Sequence, residues 1–223
     1  MNKRRYAVFK STIIAASLAL LALPGCQLLT GYQQIDSAGS AEEWIGRINP
    51  VAGEVNLACF GTHHCEITRI DQTPIISPET HEPVDVSMLA TKPSVDEVTT
   101  LLDTKSVKIV PLAPSGIKWL TNYYVRVKPI KREVHVNFYP EKNLGYVERF
   151  AIIHEFVDAT YQIRAYKDES EETTSLLDQA SPKTLCVELV EDGDVVRHFC
   201  KPDEAEQQGE FVEVVIPNKA KRK

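Results

Sequence analysis

The stretch GEVNLACFGTHHCEITRID, residues 53–71, decides the fold class of this chain. Its two halves, GEVNLAC (53–59) and CEITRID (65–71), place apolar side chains at alternate positions, which is the pattern of half-buried strands. Five residues lie between the two cysteines, a length that suits the loop of a β-hairpin. We therefore predict two antiparallel strands joined by a short loop.

The same alternation continues along the rest of the chain, at intervals too short for a helix between successive strands. The segments are VKIVPL (107–112), YYVRV (123–127), EVHVNFY (133–139), GYVERFAIIHEF (145–156), TYQIRAY (160–166), a hairpin over 185–200 with Asp192-Gly193 at its turn, and FVEVVIP (211–217). Many short strands separated by turn signals are typical of sheet-on-sheet architectures. We predict a mainly β fold, an antiparallel β-sandwich over residues 40–217.

One or two short helices are expected beside the strands. SAEE at 40–43 and SVDE at 94–97 match the capping box, in which a serine and an acidic residue three positions later satisfy the first backbone groups of a helix. The second helix should end near Asp103. Four prolines between residues 73 and 93 predict irregular or edge structure there.

Residues 1–25 resemble a secretory signal peptide. Four basic residues precede an apolar segment over 13–23, which is shorter than the roughly 20 apolar residues that span a bilayer. Leu23-Pro24-Gly25-Cys26 then resembles the lipobox of bacterial lipoproteins. The resemblance implies cleavage before Cys26, a diacylglycerol on its sulfur and an acyl chain on its new amino group.

This lipid would anchor the protein, because several acyl chains hold a protein firmly on a membrane. Gln27 follows the cysteine, and a lipoprotein without Asp at that position usually goes to the outer membrane, so the resemblance implies an outer-membrane protein. We expect residues 26–39 to be a lipidated tether. The domain would then face the periplasm or the cell exterior.

Acidic residues outnumber basic ones once the signal peptide is removed. The full chain has 25 Lys and Arg against 31 Asp and Glu, and the signal takes four of the basic residues (25 − 4 = 21), which leaves a formal charge of −10. Nucleic acid and anionic lipid both require basic surface. We therefore expect no nucleic-acid partner, and we interpret the basic tail, 218–223, as solvated.

Strand patterns between about residues 120 and 200 resemble those of small bacterial lipoproteins with immunoglobulin-like or transthyretin-like sandwiches. The segments that carry the resemblance are NYYVRVKPIKREVHVNFYP (122–140), ERFAIIHEFVDATYQIRAYKDE (148–169) and CVELVEDGDVV (186–196). The resemblance implies a fold and assigns no functional residue besides Cys26.

Four cysteines remain in the mature chain, and an envelope location favours disulfides between them. They are Cys59, Cys65, Cys186 and Cys200. Of the three possible pairings, the local one, 59–65 and 186–200, fits the predicted hairpins best. In the second hairpin, a two-residue turn would place Cys186 opposite Phe199, whereas a three-residue loop centred on Gly193 would align the two cysteines.

CFGTHHC, residues 59–65, also contains the residue types that bind zinc. Disulfide-bonded cysteines cannot be ligands, and adjacent strand residues point to opposite faces. His63 and His64 are then the candidate ligands, and His81 could complete a site. We favour the alternative, a disulfide-closed hairpin tip with exposed histidines, and we expect no cofactor.

Other motifs give little support to catalysis. The run HEFVD, which begins at His154, has Asp158 where the zinc-protease motif needs a second histidine. Ser115 is interpreted as a turn residue, and a convergent Ser-His-Asp triad stays open. Tyr139 and Tyr146 could form an outward-facing binding patch.

Three hypotheses for function follow. The leading one is a non-enzymatic, outer-membrane-anchored lipoprotein that binds or scaffolds an envelope protein, for example by adding a strand to a sheet edge. The second is capture of a small ligand or metal by the CFGTHHC loop and the proline-rich segment. The third is a hydrolase with an unrecognised triad.

Overall fold

Alternating apolar residues form strands throughout the part of the chain that the structure describes, which is residues 47–90, 101–167, 185–201 and 210–216 of a computed structural model. The strands are β1 (Val55–Phe60), β2 (His64–Ile70), β3 (Thr73–Pro74), β4 (Val107–Pro114), β5 (Thr121–Val127), β6 (Lys131–Tyr139), β7 (Glu148–Glu155), β8 (Thr160–Lys167), β9 (Leu185–Glu191), β10 (Asp194–Cys200) and β11 (Val212–Glu213). The helical element among these residues is a 3-10 turn, Val86–Met88.

The strands form two packed sheets, which confirms the predicted mainly β sandwich. One sheet has the order β11-β10-β9-β8-β1-β5-β4, and the other has the order β3-β2-β6-β7. Apolar side chains from both sheets meet in one core, and they include Leu57, Val125 and Ile163 from the first sheet and Ile67, Val136 and Ile152 from the second. The sandwich therefore buries one face of each sheet against the other.

The first two strands do not form the hairpin that the sequence predicts. β1 lies between β5, which is antiparallel to it, and β8, which is parallel to it. β2 lies in the other sheet, between β3 and β6. All six residues of β1 are buried, so this strand needs neighbours on both edges and cover on both faces, and a two-stranded hairpin cannot supply them.

The outer face of the seven-stranded sheet carries a second, smaller apolar cluster. It consists of Ile48, Ala58, Phe60, Val110, Leu112 and Tyr124. Ala58 and Phe60 alternate with the core residues Leu57 and Cys59, so β1 places apolar side chains on both faces of its sheet. This explains why its sequence reads as a nearly continuous apolar run.

The predicted helices lie mostly outside the described residues. The segments 40–46 and 94–100 are not described, and residues 101–103, where the second helix was expected to end, are not helical. The described part of the proline-rich segment contains the two-residue β3, the 3-10 turn and two isolated bridges, Ile76 with Pro83 and Leu89 with Ile109.

Within the described residues, no helix has both the length and the apolar character needed to cross a membrane.

Candidate functional site at the strand crossover

The CFGTHHC segment carries the chain from one sheet to the other. β1 ends at Phe60 and β2 begins at His64, so the link is only three residues long. Gly61 has a φ of 100°, and a Cβ there would overlap the backbone carbonyl of Ala165 on β8. Glycine is therefore required at this position both for its conformation and for the close approach of two backbones.

The Cys59–Cys65 disulfide closes this crossover and joins the two sheets. The two Cα atoms are 6.0 Å apart, and the cysteines belong to β1 and β2. The pair is the local one that the sequence favoured, but its setting differs, because the bridge connects two layers of the sandwich instead of two neighbouring strands of a hairpin.

The Cys186–Cys200 disulfide lies within one sheet and depends on a β-bulge. Asp192 and Gly193 form a two-residue turn with φ angles of 47° and 96°, as a tight hairpin requires. This turn alone would put Cys186 opposite Phe199, but the register shifts between Val195 and Arg197 and brings Cys186 opposite Cys200. Neither of the two turns considered from the sequence included the bulge, because a bulge leaves no signal in the pattern of polar and apolar residues.

The two adjacent histidines have different environments. The backbone carbonyl of His63 accepts hydrogen bonds from Ser115 Oγ and from the backbone N–H of Gly116, both at 3.1 Å. The side chain of His64 is buried, with 2% of the residue exposed. The expectation that both histidines are exposed loop residues is therefore wrong for His64, which is the first residue of β2.

Three potential metal ligands meet on the face of β2 that points away from the core. Glu66 Oε2 lies 3.4 Å from His64 Nε2 and 3.1 Å from His81 Nδ1. His64 and Glu66 are two residues apart on one strand, so their side chains share a face. The three ligand atoms lie within 4.8 Å of one another. We call His64, Glu66 and His81 the His-Glu-His cluster.

A compact turn brings His81 to the strand. The backbone N–H of His81 donates to the carbonyl of Ser77 at 2.7 Å, and the N–H of Ser77 donates to the carbonyl of Glu82 at 2.9 Å. His81 has a φ of 59°, a left-handed conformation that histidine adopts more readily than most residues. Ser77 Oγ accepts from two further backbone N–H groups of the turn, so the position of His81 is well defined.

Polar side chains around the cluster hold its members in place. His64 Nδ1 donates to Asn122 Oδ1 at 3.1 Å, and the hydroxyl of Tyr139 donates to Glu66 Oε1 at 2.5 Å. The ring of Tyr139 also stacks on His64, with centroids 5.5 Å apart. Tyr139 is only 4% exposed, so the expectation that it forms an outward binding patch is wrong.

Electrostatics keep Glu66 ionised and Tyr139 protonated. Burial alone would raise the pKa of Glu66, but the adjacent His64 imidazole and hydrogen bonds from Tyr139 and His81 outweigh it and hold this pKa below its ordinary value. Burial and the hydrogen bond to Glu66 raise the pKa of Tyr139. The phenol therefore acts as a donor to the carboxylate over the whole neutral range.

One other group of three potential ligands occurs among the described residues, Cys186, His198 and Cys200. Both of its sulfur atoms are in a disulfide, and His198 Nε2 lies 2.5 Å from the hydroxyl of Tyr166. Only the thiolate form of cysteine binds metals. The His-Glu-His cluster is therefore the better candidate in the part of the chain that the structure describes.

No family model, curated protein or solved structure matches this chain.

The loop between β4 and β5 lies beside the crossover and presents a tryptophan. Trp119 is 96% exposed and has a φ of 75°. The loop is fixed at both sides, because Ser115 N–H donates to the carbonyl of Leu120 at 2.9 Å and Gly116 N–H donates to His63. A Cβ on Gly116 would come within 2.8 Å of the His63 carbonyl oxygen, so the two loops touch closely.

The remaining sequence candidates lie elsewhere. Cys26 is outside the described residues. His154 is on strand β7, where its ring contacts those of Phe156 and Tyr161, an arrangement unlike the helix that a zinc-protease motif needs. Ser115 is a turn residue that bonds to the His63 carbonyl.

Sequence reasoning missed Glu66, Asn122 and Trp119. An available signal was the H-x-E spacing of residues 64–66, which places a carboxylate on the same strand face as His64. Asn122 belongs to β5 in the other sheet, so only the packing of the two sheets brings it to His64. Trp119 gave no periodic signal because it lies in a turn.

Proposed function

We propose that this protein is a non-enzymatic lipoprotein of the outer membrane, and that its sandwich binds or scaffolds a protein of the cell envelope. The single observation that carries the proposal is Trp119, a large apolar side chain held almost completely in solvent on a fixed loop. Cys26 would supply the anchor, and the immunoglobulin-like or transthyretin-like resemblance is compatible with a binding module.

The cost of this arrangement supports a binding role for Trp119. A left-handed backbone conformation costs a non-glycine residue about 1–2 kcal/mol, and tryptophan is usually well buried in a folded chain. Backbone strain of this kind concentrates at functional sites. Tryptophan is also among the residues that contribute most to protein–protein interfaces.

The Trp119 loop is a better contact than the β7 edge of the four-stranded sheet. Strand β7 ends the four-stranded sheet, and Arg197 Nη1 already donates to the Ile153 carbonyl of that strand at 2.7 Å. The same guanidinium forms two hydrogen bonds with the Glu213 carboxylate. An incoming strand would have to displace these contacts, whereas a partner of Trp119 displaces only water.

A protein partner agrees better with the charge than an anionic membrane surface does. The mature chain carries a formal charge of −10, and such a chain is repelled by anionic lipid. Exposed Lys118 next to Trp119 would instead add a local contact to an acidic group on the partner.

Photo-crosslinking in living cells tests the proposal. A photoreactive residue replaces Lys118 in the full-length chain, and the same residue at exposed Arg149 on β7 is the matched control. We expect a discrete crosslinked protein from position 118, its loss in Trp119→Ala, and no such product from position 149. Equal products from both positions, products insensitive to Trp119→Ala, or crosslinks to lipid alone would refute the proposal.

A further inference from the structure

Among the residues that the structure describes, the buried Glu66 carboxylate contacts no permanently charged cation. It is 3% exposed, and its neighbours are the imidazoles of His64 and His81 and the phenol of Tyr139. By contrast, the equally buried Glu54 pairs with Arg126 at 2.7 Å. Buried charges in proteins are usually paired with an opposite charge or coordinate a metal. A cation bound beside Glu66 would therefore compensate the negative charge of its carboxylate.

Two separations between the ligand atoms match the coordination sphere of a transition metal. In a tetrahedral zinc site with bonds of about 2.0–2.1 Å, neighbouring ligand atoms are about 3.3 Å apart. Glu66 Oε2 is 3.4 Å from His64 Nε2 and 3.1 Å from His81 Nδ1. All three atoms lie within 4.8 Å of one another, so an adjustment of the side chains would let one ion contact them all.

The hydrogen bonds around the cluster have the pattern that supports metal ligands. A ligating histidine usually donates its other ring N–H to an oxygen acceptor, and ligating carboxylates are themselves hydrogen-bonded. His64 does so through Nδ1, which donates to Asn122 Oδ1, and Tyr139 holds Glu66 Oε1. The other nitrogen of His64, Nε2, is completely buried and makes no hydrogen bond. Its lone pair points into the cluster, where a cation would satisfy it.

We propose that His64 Nε2, His81 Nδ1 and Glu66 Oε2 bind one divalent first-row transition ion, with zinc as the preferred ion. Two imidazoles and one carboxylate are a ligand set that zinc uses, whereas calcium and magnesium prefer oxygen ligands. The fourth position would be taken by water. His81, with 14% of its side chain exposed, is the ligand nearest to solvent and the route by which the ion arrives. This inference does not depend on the partner proposed for Trp119.

Zinc titration of the full-length chain tests the site. The protein is purified in detergent, treated with a chelator, and titrated with zinc in competition with a chromophoric chelator. We expect one zinc per chain and at least about a 100-fold loss of affinity in His81→Ala, since ligand removal should exceed the 10–100-fold loss typical of supporting residues. Tyr139→Phe, which removes only such a support, should lose about 10–100-fold.

Two histidines provide matched controls. His135 lies 2.5 Å from the Glu133 carboxylate on the same sheet but belongs to no three-ligand group in the described part of the chain, and His63 is adjacent to His64 in the sequence. His63→Ala and His135→Ala should bind zinc as the unaltered chain does. Circular dichroism without zinc identifies any variant that has lost its fold, and the conclusion then rests on the folded ones, with Tyr139→Phe as the mildest change.

X-ray absorption at the zinc edge identifies the ligands directly. We expect scattering from two imidazoles, light-atom ligands in the first shell and no sulfur. The proposal is overturned if no stoichiometric zinc binds, if His81→Ala binds zinc as tightly as the unaltered chain, or if sulfur ligation reveals a site at Cys186 and Cys200. In the first case the cluster is a network of histidine and carboxylate contacts only.

Discussion

Glu54 and Glu66 are both 3% exposed, and the chain compensates their charges in different ways. Glu54 has a fixed partner in Arg126, and its second oxygen accepts a hydrogen bond from the backbone N–H of Leu101. Glu66 has no such fixed cation but lies beside two imidazole nitrogens, with which we propose that it binds a metal ion. The Glu54–Arg126 contact is a structural ion pair, whereas the surroundings of Glu66 form a candidate metal site.

Removal of Arg126 should therefore destabilise the fold strongly. Arg126→Met leaves the Glu54 carboxylate buried without its counter-charge, a change that typically costs about 3–5 kcal/mol. The matched control is Arg69→Met, because Arg69 pairs with Glu133 at 3.4 Å where both side chains are nearly half exposed, and such pairs contribute at most about 1 kcal/mol. Urea unfolding measures both values. A loss for Arg126→Met no larger than that for Arg69→Met would contradict the ion-pair account.

His154 should make the stability sensitive to acid. Burial and the nearby Arg197 guanidinium hold the pKa of His154 below its ordinary value of 6.5, although Glu155, Glu191 and Glu213 act in the opposite direction. Because the folded form resists protonation while the unfolded chain accepts it, this contribution to stability is present above pH 6.5 and is lost as the pH falls through the folded pKa.

Substitution of His154 tests the sign of this effect. We expect the unfolding free energy of His154→Gln to fall less between neutral and mildly acidic pH than that of the unaltered chain, as measured by urea titrations at each pH. An unchanged or steeper pH dependence of the unfolding free energy in the variant would show that the pKa of His154 is not lowered in the folded protein.

At the level of elements, the crossover from β1 to β2 is the feature on which the two layers depend. Gly61 is needed there for its positive φ and for its contact with β8, whereas Gly193 has a similar φ with nothing near its missing Cβ. We expect Gly61→Ala to cost about 2–5 kcal/mol, from backbone strain and overlap together. Gly193→Ala should cost only about 1–2 kcal/mol, from strain alone. Thermal unfolding distinguishes the two, and equal losses would rule out the close approach.

Strand positions could be read from the sequence, but strand partners could not. The alternation in 133–139 and 160–166 located β6 and β8 to within two residues, because one face of a strand must be apolar wherever it covers the core. The same alternation does not indicate which strands are hydrogen-bonded neighbours, so the parallel pairing of β1 with β8 could not be predicted. The bulge near Val196 was hidden for the same reason.

The candidate site was only half predictable for a related reason. His64 and His81 were noticed as histidines, but their meeting depends on the turn that begins at Ser77 and on the left-handed conformation of His81. The burial of Glu66 and Tyr139 depends on what covers the outer face of β2 and β6. The turn that carries His81 lies on this face, and its sequence has no apolar periodicity from which its position could be predicted.

At the scale of the whole molecule, we propose that a lipid on Cys26 anchors the sandwich to a membrane. Cys26→Ala should move the protein from the membrane fraction to the soluble fraction, because the thioether cannot form and several acyl chains are needed for firm attachment. Gln27→Asp is the matched control, since it keeps the cysteine and should leave the protein on membranes while shifting it from the outer to the inner one. Fractionation with immunoblotting measures both, and persistent membrane association of Cys26→Ala would contradict the anchor.

We propose that the end of the sandwich formed by the crossover and the Trp119 loop makes the functional contact. Hydrogen–deuterium exchange of the anchored protein in isolated outer membranes, compared with the same chain purified in detergent, tests it most directly, since backbone amides exchange more slowly where a partner covers or orders them. We predict added protection in peptides that cover residues 61–64 and 115–121, and none at the Asp192-Gly193 turn. Equal exchange in both preparations at 115–121, or protection confined to the Asp192-Gly193 turn, would contradict the claim.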